Sequence, residues 1–348
     1  MISFAPATPG DDADLRALLR ENSMASWVTM AVEREPSFFS GIDRFGRDHP
    51  VVAREHGCAV GMYVRSEHPV HVNGRPLRIG YLGALRIHDG YRRRVGALRD
   101  GYVSAFAAGG GDPAGFCYTC IASENRAARR LLEANLNGMP RYLPVGEVIA
   151  LALPRARGRS LGHWQRMRPE ECLDTCRLHN RIAASRQFSP VLDPTTIAST
   201  GADFFVCRGA TGQPTACMAL WNQNAYKQVV ARAYRQPLAA LRPLYNACAA
   251  ARRRVALPQP GRPVDQTYLA FLAADGSHAP PLADLVGDAL AICDTSVLTL
   301  GIDPGEAIRQ EIERRFRPRS YAMTVYTVSY AAPPDLDGRP TLPEIAVL

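Results

Sequence analysis

The 348-residue sequence has no apolar run long enough to cross a bilayer. Arginine, glycine or proline breaks each such run within about ten residues. No membrane partner is therefore expected. The first residues, MISFAPATPGDDAD, are acidic and poor in apolar side chains, which argues against a secretory leader. Nine cysteines occur without a framework spacing. Cys117-Tyr118-Thr119-Cys120 is a CxxC, but it lies in a stretch that reads as a strand. Alternation then sends the two thiols to opposite faces, which suits neither zinc nor a redox pair. Core thiols and a reducing, cytoplasmic location follow. No HxxxH, HExxH or paired-carboxylate pattern appears, so no metal site is expected. Gly158-Arg159-Ser160-Leu161-Gly162 has the Gly-x-Ser-x-Gly spacing but lies in a basic Pro/Gly-rich stretch rather than at a strand-to-helix turn, and no hydrolase triad is expected. Arginine far outnumbers lysine. The net charge of +8 permits an anionic partner. Basic residues are not interleaved with aromatics, and no nucleic-acid partner is expected.

What is present is a globular composition, 47% hydrophobic and 21% charged, in a chain too long for one ordinary core. It divides most naturally into residues 1–153, a basic Pro/Gly-rich linker 154–162, residues 163–330 and a tail 331–348. The stretch around which the rest is organised is Tyr81–Ala107. An apolar strand, Tyr81–Ile87, turns at His88-Asp89-Gly90 and meets three arginines and a glycine. A helix follows, with Ala97, Leu98, Tyr102, Val103 and Phe106 at helical spacing. Unpaired amides at a helix start, with arginine and glycine beside them, make a place to hold a phosphate.

Before this stretch the sequence predicts a strand over Ile2–Ala7 and a helix carrying Leu15, Leu18 and Leu19. A second helical region follows over Ser26–Phe45, then strands at Pro50–Arg54 and Ala59–Glu67. A hairpin turns at Asn73-Gly74, where both positions accept positive φ. After the stretch come a strand at Phe116–Ala122, a helix at Asn125–Ala134 and a strand at Glu147–Leu153.

The run Ile87-His88-Asp89-Gly90-Tyr91-Arg92-Arg93-Arg94-Val95-Gly96-Ala97 resembles the acetyl-CoA signature of the GNAT superfamily of N-acetyltransferases. Ser123-Glu124-Asn125-Arg126-Ala127-Ala128-Arg129-Arg130-Leu131-Leu132 resembles the same family's later Asn-x-x-Ala-x-x-Leu-Tyr element. The two stand in the family's order and separation, and the resemblance covers about the first 153 residues. It implies an α/β, mixed-sheet fold and direct transfer of an acetyl group from acetyl-CoA to an amine, without a metal. Leu85, Arg86 and Ile87 would hold the pantetheine and the acetyl carbonyl. Arg92, Arg93, Arg94, Val95, Gly96 and Ala97 would hold the pyrophosphate, and Asn125 would meet the pantetheine arm or cap its helix. Two departures stand out. Val95 replaces the first glycine of the signature, and Leu132 stands where a tyrosine often protonates the leaving thiolate. Tyr81 occupies the place of a glutamate base found in some relatives. Glu124 and Tyr142 are further candidates for proton transfer.

After the linker the pattern repeats: strands at Trp164–Met167, Phe204–Arg208, Thr215–Trp221, Gln228–Tyr234, Thr267–Ala273, Ser296–Gly301 and Tyr321–Tyr330. Helices are expected at Pro169–Arg186, Leu238–Arg252, Leu282–Cys293 and Pro304–Phe316. This reads as a second, degenerate GNAT-like domain, as in tandem members of the superfamily. A central mixed sheet flanked by helices is expected in each domain. The loop Ala274–Pro281 carries no arginine, and its Asp275 would oppose a pyrophosphate, so the second domain is expected not to bind CoA. Its role would be to complete the core or to wall the acceptor site. The tail would pack on its own subunit or on a partner in a homodimer; the alternative is that it reaches an active site, since some acetyltransferases recruit a C-terminal carboxylate as a base. A longer acyl donor, or a domain that keeps the fold without the activity, are the alternatives.

Overall fold

The structure, a computed structural model, describes residues 2–23, 27–91, 95–107 and 114–348. In the first half the strands are β1 (Ser3–Pro6), β2 (Val28–Glu33), β3 (Arg47–Glu55), β4 (Cys58–Val72), β5 (Arg75–Ile87), β6 (Cys117–Ala122) and β7 (Arg141–Pro154). Its helices are α1 (Asp12–Glu21), α2 (Val95–Ala107) and α3 (Arg126–Leu132). The second half has β8 (Gln165–Arg166), β9 (Asp203–Arg208), β10 (Pro214–Trp221), β11 (Gln228–Tyr234), β12 (Arg262–Pro263), β13 (Gln266–Ala274), β14 (Val297–Ile302) and β15 (Arg319–Ser329). Its helices are α4 (Cys172–Ala183), α5 (Pro194–Thr200), α6 (Leu238–Ala251), α7 (Leu282–Ile292) and α8 (Ile308–Phe316).

The two expected central sheets join edge to edge into one twelve-stranded sheet, ordered β1-β3-β4-β5-β6-β15-β7-β14-β13-β10-β9-β8. The order is nearly a mirror about β15 and β7. Each half lends its last strand to the other: β7 pairs with β14, and β15 pairs with β6. The parallel contacts are also repeated, β5 with β6 and β13 with β14.

Local chemistry accounts for most elements. The hairpin joining β4 to β5 turns at Asn73 (φ 51°) and Gly74 (φ 78°), where a residue other than glycine or asparagine would be strained. In α1 the side chains of Leu15, Leu18 and Leu19 are buried against Val52, Met62 and Val64. On the opposite face α2 buries Ala105 against Val51 and Tyr63. The two thiols of the CxxC do part. Cys117 joins the cluster with Leu98 and Tyr102, and Cys120 joins the one with Tyr81 and Tyr118.

One expectation is corrected. The helical region predicted over Ser26–Phe45 is, within the described residues, strand β2 and a short 3-10 turn at Phe38–Gly41. The partner of β2 is β11, nearly two hundred residues later, with Val28 opposite Tyr234 and Glu33 opposite Gln228. A pairing that distant leaves no local trace beyond the β-branched Val28, Thr29 and Val32. Helix α5, capped by Asp193 through the Thr196 amide at 2.7 Å, and the short β12 were not foreseen.

The basic linker is anchored rather than loose. Asp288 of α7, 1% exposed, accepts from the amides of Leu161 (2.7 Å), Gly162 (3.2 Å), His163 (2.7 Å) and Trp164 (3.1 Å). The tail folds back into the chain. Gln223 donates to the Ala346 carbonyl at 2.8 Å, and Ile345 and Ala346 are buried.

Candidate active site

The parallel ladder between β5 and β6 consists of two partner pairs, Gly80 with Cys117 and Tyr81 with Tyr118. Beyond them the strands part. The Thr119 hydroxyl crosses at the root of the gap, donating to the Leu82 carbonyl at 2.6 Å. Just past that point β5 carries a bulge. Val64 pairs with Gly83 and Met62 with Arg86, so Ala84 and Leu85 share the place opposite Tyr63. Ala84 has φ 51°, a rare conformation for a residue with a Cβ, and strain of this kind clusters at functional sites. A bulge re-aims backbone amides out of the ladder. The parted strands therefore make a slot with polar backbone on its wall.

The slot leads to the predicted phosphate junction. After Ile87 the chain makes a tight turn, with the Tyr91 amide donating to the His88 carbonyl at 2.8 Å. Helix α2 then starts at Val95. Arg92, Arg93 and Arg94 lie outside the described residues. Gly96 is exposed, and a Cβ placed there would meet nothing. Leu85 is 39% exposed, and Arg86 donates from Nη1 to the Leu85 carbonyl at 2.9 Å. Burial pulls the Arg86 guanidinium below its usual range, opposed by the nearby Tyr81. Asn125 caps α3, its side-chain oxygen accepting from the Ala128 amide at 3.2 Å.

The three proton-transfer candidates are not brought together. Tyr81 lies on the face of the sheet that carries Tyr118, with ring centroids 5.1 Å apart. Its ring leans over Gly83, where a Cβ would come within 2.7 Å of it. Burial raises its hydroxyl well above the ordinary tyrosine range. Tyr142 lies on the other face, in the cluster with Cys117 and Leu132, its hydroxyl bonded to that of Tyr102. Glu124 is exposed in the turn before α3.

A polar group that sequence reading missed lies on the Tyr81 face. Leu348 packs against the cluster containing Tyr81 and Tyr118, and its main-chain oxygen accepts from Lys227 Nζ. Burial, with the Arg34 guanidinium nearby, pushes the Lys227 amine down to about 7. Lys227 is the chain's one lysine, among forty arginines. That ratio was the available signal, because lysine can give up its proton near neutrality when buried and arginine cannot. In the same region His68 bonds the Tyr118 hydroxyl at 2.9 Å. Burial holds its imidazole down to about 3, and therefore neutral.

The second half repeats the bulge and the slot. Phe271 has φ 55°, and the ladder with β14 ends at Tyr268 and Thr299. Here the bulge amide is already engaged: Phe271 N donates to Glu344 Oε2 of the tail at 2.8 Å. A cavity of about 390 Å³ opens beside it, between β13, β14 and α4, lined in part by Leu269, Ala273, Leu300, Ile302 and the ion-paired Arg186 and Glu306. Asp275, in the loop that enters α7, is paired with Arg181 at 3.1 Å.

Solved structures share this architecture. The chain superimposes on a Saccharomyces cerevisiae N-myristoyltransferase with bound myristoyl-CoA, covering 97% of this chain and 87% of that one, at TM-score 0.59 and 10% identity. The fold is the tandem GNAT fold. A probable N-acyltransferase from Enterococcus faecalis (TM-score 0.53, 10% identity, 94% of this chain and 72% of that one) also matches. So does a GCN5-related N-acetyltransferase from Kribbella flavida (TM-score 0.50, 10% identity, 94% and 71%). No protein-family model and no curated protein matches the sequence. Among the described residues no group of three or more His, Cys, Asp and Glu side chains could hold a metal ion.

Proposed function

We propose that the protein is an acyl-CoA-dependent N-acyltransferase, with acetyl-CoA the first donor to test and a primary amine as acceptor. The observation that carries this reading is the bulged, parted β5–β6 slot running into the start of α2. A slot of that kind takes a pantetheine arm as an added strand, and a helix start suits a diphosphate. The backbone around Leu85–Ile87 would hold the thioester carbonyl and stabilise the oxyanion that forms on attack. The amine attacks the carbonyl carbon, the C–N bond forms, and the C–S bond breaks. The amine's surplus proton passes to a base, and the CoA thiolate leaves and takes a proton. Lys227, an amine poised near neutrality on the Tyr81 face, is the group we assign as base. Tyr81, Tyr142 and Glu124 fit that role less well. The first two hydroxyls are raised far above neutrality by burial, and the third is an exposed carboxylate in a turn.

The test is calorimetric titration of acetyl-CoA and CoA into the full chain, with Arg92→Glu and Gly96→Asp as controls. Binding to the wild type that each variant weakens by about tenfold or more supports the reading. No heat from any of the three at millimolar ligand overturns it. The mass of the product made from an amine panel then distinguishes an acetyl from a longer acyl donor. Val95 and Leu132 favour one second reading, a CoA-binding module without turnover. Tight binding with no product across that panel would establish it in place of the first.

A further inference from the structure

Helix α6 is built inside out. Its polar side chains face the protein. Asn246 exchanges hydrogen bonds with Leu257 (2.9 and 2.8 Å), and the Tyr245 hydroxyl donates to the Val255 carbonyl at 3.1 Å. Arg242, the helix's one charged residue, also turns to the Leu257 carbonyl, at 3.4 Å. The outward face is apolar. Leu241 is 50% and Leu244 63% exposed, and Ala247, Cys248 and Ala251 continue the exposed stripe at three- and four-residue steps. A surface helix with a solvated outer face normally shows the reverse pattern. A contiguous apolar face of this kind marks a surface that something covers.

The charge at the end of the helix says what covers it. Arg252, Arg253 and Arg254 follow α6 and are all exposed. Arg157 ties this turn to the body, donating to the Arg252 and Arg253 carbonyls at 2.9 Å each. Burial, and then the charges of Arg317, Arg254 and Arg253, weaken the hold of Arg157 on its proton. Arg319 stacks on Tyr245 of α6 at 5.3 Å. Of the arginines around this end, Arg315 is neutralised by Asp284 at 2.6 Å. At the other end Trp27, 60% exposed, lies under Arg235 at 5.8 Å, three residues before the helix. Exposed arginines thus flank an apolar helical face.

We propose that α6 and the Arg252–Arg254 turn form a docking surface for an anionic lipid bilayer. The leucines would enter the acyl boundary and the arginines would pair with headgroup phosphates or carboxylates. Among the described residues no helix is long and apolar enough to cross a membrane, and lying on a bilayer needs none. Two other occupants fit less well. A second copy of this chain would set arginine against arginine. A nucleic acid would satisfy the arginines and leave the leucine stripe in water.

The experiment is flotation of the full chain with vesicles of phosphatidylcholine alone and of phosphatidylcholine with about 30% phosphatidylserine, at about 0.1 M salt. Trp27 fluorescence is the second readout, since Trp164 and Trp221 are buried. The expected result is binding only to the anionic vesicles with a blue shift of Trp27. Binding should weaken about tenfold or more in both Leu241→Ser/Leu244→Ser and Arg252→Gln/Arg253→Gln/Arg254→Gln. All these positions are exposed, and an unchanged thermal melt shows that each variant is folded. Wild type that stays unbound to anionic vesicles overturns the proposal, as does binding that either variant leaves intact. A dimer in sedimentation velocity that the serine pair dissociates would also overturn it. So would oligonucleotide binding tighter than vesicle binding and unaffected by the serine pair.

Discussion

At the residue scale, the most informative feature is a single amine in a chain that otherwise uses guanidinium for its positive charge. Lys227 is half-buried, desolvation brings its amine down to about 7, and it reaches the main chain of Leu348, which packs against the cluster containing Tyr81. If Lys227 is the base, kcat/KM rises with pH as the ammonium loses its proton, with a midpoint near 7. Lys227→Arg keeps the charge and a donor, yet cannot deprotonate. The variant is expected to lose activity by about 10²-fold or more and to lose the acidic limb near 7, while its affinity for CoA stays unchanged. An initial-rate pH profile set beside CoA titrations of the two proteins decides it. A limb that survives in the arginine variant removes Lys227 from the mechanism.

At the element scale, the tail behaves as part of the second half's slot. Glu344 accepts from Phe271 N at 2.8 Å and from Ala346 N at 3.1 Å. Burial nevertheless raises its carboxyl to about 7, because two amides do not replace the lost hydration. The folded protein therefore holds this proton between about 4.5 and about 7, while the unfolded chain releases it. That contribution to stability is fully present below 4.5 and is lost as pH rises through 7, on the order of 3 kcal/mol. Glu344→Gln keeps a neutral acceptor and should flatten the decline over that window. Urea unfolding at a series of pH values measures it; equal slopes for wild type and variant would show that the tail carboxyl does not titrate there. The same bond bears on the two slots. In the second half the bulge amide already serves a carboxylate of the chain itself, which supports the expectation that CoA is held by the first half.

At the scale of the whole molecule, the exchange of last strands is what joins the halves. In the expected layout the boundary falls at residues 154–162, which suggests two independently folding domains. The sheet order sets β15 between β6 and β7 and lays β7 along β14. A fragment ending at residue 154 keeps β7 but loses both of its neighbours, and it leaves β6 with an open edge. We expect residues 1–154 and 155–348, expressed separately, to be poorly folded by circular dichroism and proteolysis. Co-expressed, they should associate into one protein, and the intact chain should unfold in a single transition. Two fragments that each melt cooperatively alone would show that the exchange is dispensable.

The legible parts were those whose cause is local. Asn73-Gly74 specifies a hairpin by its tolerance of positive φ, Leu15, Leu18 and Leu19 specify a buried helix face, and the run from Ile87 to Ala97 specifies a strand, a turn and a helix start. From these most of the first half could be laid out in order, including the helix start after Ile87. What was not legible depends on partners far along the chain. Val28–Glu33 is a strand because β11 lies beside it. Tyr81 and Tyr142 reach opposite faces because β5, β6 and β7 are set by the whole sheet. Lys227 sits near neutrality because other elements bury it. The sequence by itself determined the local elements and the chemistry they can offer. The tertiary structure alone decided which side chains meet and how dry they are, since both follow from contacts between segments far apart in the chain.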